Sequence, residues 1–303
     1  MVVVLAGGTG GAKLARGMLD VADELVVIAN TGDDAEHYGV HVSPDPDLVA
    51  YWLADLIDER GWGIDGDTWN EMDRRRAAGE EIWFNLGDRD LEFCRMRTER
   101  MAAGERPTKA HAAVVDALGL RARVLPMCDE PVRTWVQAAG DWHPFQEFMI
   151  KLRGDAPEAI DLRGLGNASI TPEVGNAIAS AEAIVIGPSN PVISIGPILE
   201  VPGMREALAA ADAPVVAVSP FVHGEVLKGP TDAFCRMAAL GSGTPAIEKA
   251  YAGVIDGVVT DAPGNLPSLQ TEVLMDTPEA RRRVAEEALA FARGLTPPSH
   301  SRQ

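Results

Sequence analysis

The sequence predicts an α/β fold, a Rossmann-like, doubly wound and mainly parallel sheet with a helical insertion or lid, and three observations support this. The chain opens with an apolar, β-branched run, Val2 to Ala6, that leads into glycines and is typical of a buried parallel strand. A second such run, Leu25 to Ala29, follows one helix length later and completes a strand–helix–strand unit. Apolar runs and helical segments then alternate towards the C-terminus, as in doubly wound sheets.

The helices can be placed in order along the chain. The first is expected over 12–22 and the next over 47–60. Residues 65–101 are charged and largely of helical pattern, with a break at 85–90. A final amphipathic helix is predicted over 278–293, where apolar residues recur with helical spacing.

Short apolar runs predict the remaining strands, at 122–126, 135–138, 183–186, 214–218 and 257–259. We therefore expect a single α/β domain over 1–303. Residues 48–112 lack a strand pattern and are expected to form a helical insertion within it. The tail at 297–303 is polar and is expected to be frayed.

Composition narrows the class of protein. The 303 residues carry a formal net charge of −18, which argues against a nucleic-acid partner, because a phosphate backbone needs a basic face. No apolar run reaches the ~18–20 residues that span a bilayer, and the N-terminal run does not resemble a signal peptide. The cysteines, Cys94, Cys128 and Cys235, form no CxxC pair, which is typical of reduced thiols. We therefore expect a cytoplasmic protein without a membrane partner.

The first candidate site follows the first strand directly, in the run Gly7-Gly8-Thr9-Gly10-Gly11. Glycines let a backbone approach an anion, and the N-terminus of the next helix adds N–H groups and the positive end of its dipole. Lys13 lies in the same turn and could reach a phosphate. The spacing matches neither GxGxxG nor GxxxxGK[ST], so a tight turn without a ligand is the alternative.

Acidic residues cluster in two segments that a parallel sheet brings to one edge. Asn30-Thr31-Gly32-Asp33-Asp34 ends the second strand, and Ser43-Pro44-Asp45-Pro46-Asp47 precedes the next helix. Carboxylates at i and i+2 of an extended segment can project to one side, and such oxygen ligands suit Mg²⁺ bound together with substrate phosphates. Helix capping is the alternative, and both hold if Asp45 binds the metal and Asp47 caps the helix.

Two further segments carry polar groups suited to a ligand. In Gly87-Asp88-Arg89-Asp90 the two acids orient an arginine whose planar fork suits a phosphate or carboxylate, with a surface ion-pair cluster as the alternative. Residues 187–199 follow a predicted buried strand and contain three prolines and two glycines, which is too constrained for an ordinary connection. The six histidines show no metal-binding spacing and are expected to be structural or on the surface.

Taken together, the motifs resemble one family, the 2-phospho-L-lactate transferases of coenzyme F420 biosynthesis, known as CofD or FbiA. The matching stretches are GGTGGAK at 7–13, NTGDD at 30–34, SPDPD at 43–47, GWGIDGDTW at 61–69, LGDRDLEF at 86–93, LPMCDEPV at 125–132 and GPSNPVISIGPIL at 187–199. Each motif alone is weak, whereas the ordered set covers nearly the whole chain and is highly specific. The middle of SPDPD is proline where relatives often have leucine, and both carboxylates are retained.

The resemblance implies a transferase. In this family a phospholactyl group, or phosphoenolpyruvyl in some members, moves from a guanosine diphosphate ester to the terminal ribityl hydroxyl of the deazaflavin Fo, and GMP leaves. The resemblance also implies that Mg²⁺ bridges donor phosphates and carboxylates. The best matches for metal binding are Asp45 and Asp47, with Asp33 and Asp34 behind them.

By the same resemblance, Arg89 is expected to hold Fo or the transferred group. The glycine turn and residues 187–196 are expected to hold the GMP side. The residues expected to contact the bound substrates are Gly7, Gly8, Thr9, Gly10, Gly11, Lys13, Asn30, Thr31, Asp88, Gly187, Ser189, Asn190 and Ser194.

Two other functions remain as alternatives. A sister family of uridine-sugar-nucleotide-binding proteins shares the opening GGTG but lacks the GDRD segment, so a non-catalytic regulatory protein that binds nucleotide sugars is the main one. A nicotinamide dehydrogenase is disfavoured, because the second strand ends in Asn30 rather than in an acidic ribose binder. The expected partners are small-molecule substrates, and a homodimer is expected for an α/β enzyme of this size.

Overall fold

The computed structural model describes residues 1–226 and 229–295. Along the chain, its helices and strands are β1 (Val2–Ala6), α1 (Gly8–Leu19), β2 (Leu25–Ala29), β3 (Ala35–His37), β4 (Val40–Val42), α2 (Pro44–Leu53), α3 (Asn70–Ala77), α4 (Asp88–Ala102), α5 (Pro107–Ala117), β5 (Arg123–Pro126), β6 (Arg133–Ala138), β7 (Asp141–Pro144), α6 (Phe145–Lys151), β8 (Ala159–Arg163), α7 (Pro172–Ala179), β9 (Ala183–Ile186), α8 (Ile195–Glu200), α9 (Met204–Ala210), β10 (Val215–Val218), β11 (Phe221–Val222), β12 (Glu225–Val226), α10 (Thr231–Met237), α11 (Gly243–Ala250), β13 (Gly257–Thr260), β14 (Ser268–Gln270) and α12 (Pro278–Gly294).

A seven-stranded parallel sheet forms the centre of the protein, in the order β14-β13-β10-β9-β1-β2-β5. The first strand lies inside this sheet, with Val4 opposite Val27 of β2 on one side and opposite Val185 of β9 on the other. The chain therefore builds outward from β1 in one direction and then in the other. Ligands of such sheets bind at this switch point, beyond the carboxyl ends of the strands. The α/β fold class predicted from the sequence is confirmed.

Side chains of β1 alternate between two cores, one on each face of the sheet. Val3 and Leu5 belong to a cluster that includes residues of α7, α8, α9 and α11. Val2, Val4 and Ala6 belong to a second cluster that includes residues of α1, α2 and α12. On this face α1 packs against both α2 and the C-terminal helix α12. The strand is thus buried on both faces, which accounts for its continuous apolar run.

Three smaller sheets lie outside the parallel sheet. The strands β3 and β4 form an antiparallel hairpin, as do β11 and β12, and a three-stranded antiparallel sheet has the order β7-β6-β8. The strand predicted at 135–138 lies within β6 and therefore belongs to this separate sheet. Its burial alternates along the strand, as expected when one face is covered.

The other predicted strands agree with the structure to within a residue at either end. Two helix starts differ. The first helix begins at Gly8 rather than at residue 12, because the glycine run forms its first turn. The second begins at Pro44 rather than at residue 47, with proline at a position that favours a helix start, and ends at Leu53 rather than at residue 60.

The region expected to be a helical insertion, 48–112, contains α3, α4 and most of α5, and its first residue falls inside α2. The predicted frayed tail at 297–303 lies outside the described residues. All three cysteines are buried and free. Within the described part of the chain, no helix has the length and apolar content that crossing a membrane requires.

Candidate functional site

The first turn of α1 lies at the carboxyl end of β1 and already contacts a carboxylate. The Gly8 N–H donates to Oδ1 of Asp45 at 2.7 Å. The first N–H groups of a helix have no intrahelical acceptor, and the helix dipole favours negative charge there. The N–H groups of Thr9 and Gly10 belong to the same turn. The turn therefore offers N–H groups for an anion and has a carboxylate beside them. A cation bound to this carboxylate could also bind the anion.

The glycine turn packs directly against residues 187–194. The Gly11 N–H donates to Oγ of Ser189 at 2.9 Å. A Cβ atom at Gly10 would overlap the backbone carbonyl of Pro188. Glycine is therefore required here by contacts within the protein, in addition to any approach of a substrate.

The same close approach occurs at both ends of the turn. A Cβ atom at Gly7 would lie 2.8 Å from Cβ of Ser194, and one at Gly187 would lie 2.8 Å from Cα of Gly11. Oδ1 of Asn190 accepts two backbone N–H groups of its own loop, which fixes the loop's shape. The structure thus brings two of the predicted substrate-binding segments into one surface.

Gly10→Ala should destabilise the protein, whereas Gly175→Ala should not. The methyl group at Gly10 meets a backbone carbonyl, so one of the two loops has to move, at a cost of about 1–3 kcal/mol. Gly175 lies inside α7 and has only a side-chain methyl of Ile170 nearby, at 3.7 Å, so alanine there should gain about 0.5–1 kcal/mol. Urea unfolding measures both values. A wild-type midpoint for Gly10→Ala would show that the turn is not tightly packed.

Asn30 joins the acidic residues of two predicted segments. Its Nδ2 donates to Oδ2 of Asp45 at 2.9 Å and lies 3.4 Å from Oδ1 of Asp33, while its Oδ1 accepts the Gly32 N–H at 2.8 Å. Oδ2 of Asp33 accepts from Nε2 of Gln146 at 3.0 Å. Two buried carboxylates, one from the end of β2 and one from the start of α2, therefore meet around a single amide.

Burial raises the pKa of both carboxyl groups. It is the largest cause of a pKa well above the ordinary value at Asp33, and the charges of Asp45 and Asp34 add to it. Burial also raises the pKa of Asp45 to about 6, against hydrogen bonds from Asn30 and Gly8 that lower it. Within 1–226 and 229–295, neither carboxylate forms an ion pair with a basic side chain. A divalent cation would offset this charge, so the pair fits a magnesium ion.

Asp34 lies close to this pair, but its oxygens are already in contact with other side chains. Oδ1 accepts from Oγ of Ser43 at 2.8 Å, and Oδ2 lies 3.0 Å from Nε2 of His41. Nδ1 of His41 lies 2.7 Å from a carboxylate oxygen of Glu36. Burial lowers the pKa of His41, but its two acidic partners outweigh burial and raise that pKa overall. Asp34 therefore belongs to a buried hydrogen-bonded row beside the Asp33–Asp45 pair.

Asp47 contacts different residues from those that Asp45 contacts. Arg97 donates to both of its oxygens, at 2.6 and 2.8 Å, and also donates to the backbone carbonyl of His41 at 2.8 Å. The prediction that Asp45 and Asp47 project to one side of an extended segment is wrong. Because Pro44 begins a helix, residues two apart point about 160° apart around its axis. The Asp47 oxygens thus face Arg97 of α4, while those of Asp45 face α1.

In the described residues, one group of three side chains is compact enough to share an ion, with ligand atoms of Asp47, Asp90 and Cys94 within 4.8 Å of one another, and neither Asp33 nor Asp45 belongs to it. Burial raises the pKa of Asp90 to about 7, and Asp47 adds to this, while a hydrogen bond from Tyr51 lowers it. The guanidinium of Arg97 already supplies a positive charge to this group. No guanidinium of the described residues contacts Asp33 or Asp45, although the charge of Arg133 acts on Asp33, so this pair could also hold a cation.

Three predicted ligand residues lie outside this cluster. Arg89 is exposed and donates to a backbone carbonyl at 3.2 Å. Asp88 accepts two backbone N–H groups at the start of α3, at 2.9 and 3.0 Å, and so stabilises that helix. Nζ of Lys13 lies 3.4 Å from a carboxylate oxygen of Asp276. Their roles in substrate binding stay predictions.

Arg97 was not among the predicted site residues, and His41 and His111 were expected only to be structural or on the surface, but all three are buried beside the acidic residues. Arg97 could have been found from its spacing. It follows Leu91 and Cys94 at intervals of three on α4, so it occupies the apolar stripe of that helix. A charged residue on such a stripe needs a buried partner of opposite charge.

Comparison with known proteins gives a consistent result. The family described as 2-phospho-L-lactate transferase CofD matches residues 2–287. The chain is 36% identical over 264 residues to a 2-phospho-L-lactate transferase of Methanosarcina mazei, covering 86% of each chain. It is 38% identical over 315 residues to a phosphoenolpyruvate transferase of Kitasatospora aureofaciens, covering 96% of this chain and 97% of that one.

A solved structure shares the fold. It is a member of the UPF0052 family from Bacillus halodurans, with a TM-score of 0.65 and 17% sequence identity. The match covers 95% of this chain and 98% of that chain. At this identity the likeness concerns the arrangement of helices and strands alone.

Proposed function

Because this chain belongs to the CofD family of 2-phospho-L-lactate transferases and is a transferase, we propose the following reaction for it. A phospholactyl or phosphoenolpyruvyl group passes from a guanosine diphosphate ester to the terminal ribityl hydroxyl of the deazaflavin Fo, and GMP is released. Relatives with both names, 2-phospho-L-lactate transferase and phosphoenolpyruvate transferase, support a donor that carries a three-carbon acid.

The observation that carries this proposal is the position of Asp45. Its carboxylate lies between the first turn of α1 and the Asn30 amide, next to Asp33. Transfer of a phosphoryl-type group depends mainly on holding the phosphates and neutralising their charge. At this place the N–H donors of the helix N-terminus can hold the phosphates. A cation bound to the adjacent carboxylates can neutralise the phosphate charge.

We propose that Asp33 and Asp45 hold Mg²⁺, and that Asp34 supports them from the row that it forms with His41 and Ser43. When bound, the ion would neutralise the charge of the donor phosphates. Asn30 orients both carboxylates through its amide, and Gly8 orients Asp45 through its N–H. Asp47 was expected in the same role, and its bidentate contact with Arg97 favours a supporting one instead.

An assay with Fo and the candidate guanosine donors tests the reaction directly. Product masses distinguish transfer of phospholactate from transfer of phosphoenolpyruvate, and GMP should appear in equal amount. UDP-sugars serve as the control ligands, because the main alternative is a regulatory protein that binds them. Tight binding of a UDP-sugar, together with no turnover and no binding of Fo, would overturn the proposal.

Magnesium should stabilise the protein more at about pH 7.5 than at about pH 5. The raised pKa values of Asp33 and Asp45 mean that the folded protein holds protons that the unfolded chain releases above about pH 4. Without metal, stability should therefore fall as pH rises from about 4 through the raised pKa of each carboxyl, which is about 6 for Asp45, and Mg²⁺ should offset this fall. Melting temperatures with and without MgCl₂ measure it. A pH-independent magnesium effect would argue against these ligands.

We also propose that the enzyme acts as a homodimer, as is common for closed, symmetric assemblies of α/β enzymes. Sedimentation equilibrium of the purified chain measures this. A monomer at every concentration that supports turnover would contradict it.

A further inference from the structure

The carboxylate of Asp33 has a hydrogen-bond partner from outside the parallel sheet. Oδ2 of Asp33 accepts from Nε2 of Gln146, which lies in the first turn of α6, at 3.0 Å. The contact between Nδ2 of Asn30 and Oδ1 of Asp33 is longer, at 3.4 Å. Gln146 therefore makes the closer of these two amide contacts, although it lies more than 100 residues later in the chain.

Helix α6 is anchored in a core of its own, which defines the position of Gln146. Phe148, two residues later, is fully buried in a cluster with residues of β6 and of the 187–199 segment. Its ring lies 5.9 Å from that of Phe234, edge to face. A polar side chain on an element packed in this way is preorganised, and such partners hold the residues of a site in a defined geometry.

The antiparallel sheet that precedes α6 holds the backbone next to Asp33 as well. The Thr134 N–H, in β6, donates to the carbonyl of Gly32. A Cβ atom at Gly32 would lie 2.5 Å from Oγ1 of Thr134, so this close approach requires glycine. The β7-β6-β8 sheet and its helix thus contact both the backbone before Asp33 and the Asp33 carboxylate itself.

The two amides fix the plane of the Asp33 carboxylate and leave part of it for a ligand. Because Asn30 lies beside Oδ1 and Gln146 donates to Oδ2, rotation of the carboxylate would disturb both contacts. An ionised carboxylate can accept about four hydrogen bonds, and two amide donors leave the remainder for a cation. An amide is also uncharged, unlike the guanidinium of Arg97 at Asp47, so it orients a carboxylate without neutralising it.

We propose that Gln146 is a positioning residue for the reaction, whose amide holds the Asp33 carboxylate in the orientation that binds the cation. The inference rests on the proposed function, in which Asp33 and Asp45 hold Mg²⁺. Gln146 acts through Asp33 and contacts neither the metal nor the reacting atoms. Hydrogen-bond partners of metal ligands typically contribute a factor of about 10–100 in metal affinity.

Calorimetric titration of MgCl₂ into the full-length protein in the presence of GDP tests the inference. Gln146→Met removes the donor at similar volume and should weaken Mg²⁺ binding about tenfold or more. The transfer rate at saturating Mg²⁺ should return to near the wild-type kcat, because Gln146 does not contact the reacting atoms. Gln137→Met is the matched control and should keep wild-type affinity, since Gln137 is half-buried on β6 and its amide faces the carbonyl of Gly140.

A double variant shows whether Gln146 acts through Asp33. Asp33→Asn should itself weaken Mg²⁺ binding, and adding Gln146→Met should weaken it no further. If Gln146→Met folds poorly, Gln146→Asn, whose amide is one methylene shorter, should show the same loss of affinity at an unchanged melting temperature without metal.

Two results would overturn the inference alone: wild-type Mg²⁺ affinity in the Gln146 variants while Asp33→Asn binds more weakly, or a lower melting temperature without a change in Mg²⁺ affinity. The second result would assign Gln146 a purely structural role. A wild-type protein that binds no Mg²⁺ in the presence of GDP would overturn the proposed metal site, and this inference with it.

Discussion

Replacing Asp45 with asparagine should lower the transfer rate by about 100-fold or more while leaving the protein folded. The substitution keeps the side chain's shape, so the Gly8 N–H can still donate to an oxygen. One contact with the Asn30 amide is lost, at about 1 kcal/mol, and the removal of a buried negative charge compensates for it. The rate falls because the variant cannot supply the charge that holds a divalent cation against the phosphates.

Steady-state rates at saturating Fo and donor, together with melting temperatures, measure both parts of this prediction. Asp73→Asn is the matched control, since Asp73 is exposed on α3 and pairs with the exposed Arg76. The Asp45 variant should also lose the pH-dependent stabilisation by magnesium. Activity within about tenfold of wild type would remove Asp45 from the reacting site, whatever its effect on stability.

Arg97→Met should be the most destabilising substitution, at about 3–5 kcal/mol. The guanidinium and the Asp47 carboxylate are both almost fully buried, and removing one partner leaves the other charge without compensation. The carbonyl of His41 also loses a donor. Because these contacts join α4 to α2 and β4, helix α4 should lose part of its attachment to α2 and to the β3–β4 hairpin. The free energy of unfolding in urea measures the loss.

A double variant separates the charge from the packing. Arg97→Met combined with Asp47→Leu removes both charges and should recover most of the lost stability, since an apolar pair of similar volume can replace a buried ion pair. Arg282→Met, which breaks an exposed ion pair with Glu286, should leave the midpoint nearly unchanged. A double variant as unstable as Arg97→Met alone would show that packing, and not charge, determines the loss.

Much of the fold could be predicted because the parallel strands are buried on both faces. The runs that became β1, β2 and β9 contain only apolar residues, and their short length and β-branched content favour a buried strand over a buried helix. The strand at 135–138 is also predicted by its sequence, but its place in a separate antiparallel sheet is not. A strand that alternates in burial carries no information about which neighbour it pairs with.

The candidate site was predicted in composition but not in arrangement. Whether Asp45 and Asp47 point together or apart depends on whether the chain is extended or helical at that point, and the two prolines are compatible with both. The partner of Asp47 lies 50 residues later in the chain, and no local pattern encodes such a contact. His41 and His111 could not be placed for the same reason, since their surroundings come from separate elements.

The central position of β1 has a consequence for how the protein is made. Its neighbour β2 leaves the ribosome soon after it, but the opposite edge of β1 must wait for β9, at residue 183, and its helix α1 is covered by α12 only from residue 278. During translation β1 thus keeps an unpaired strand edge, and α1 an apolar face, until those later elements are made. Such long-range pairing slows folding and favours aggregation of intermediates. The β1–α1 unit is therefore completed only after β9 and then α12 have been made, so chaperone binding should matter most for this unit.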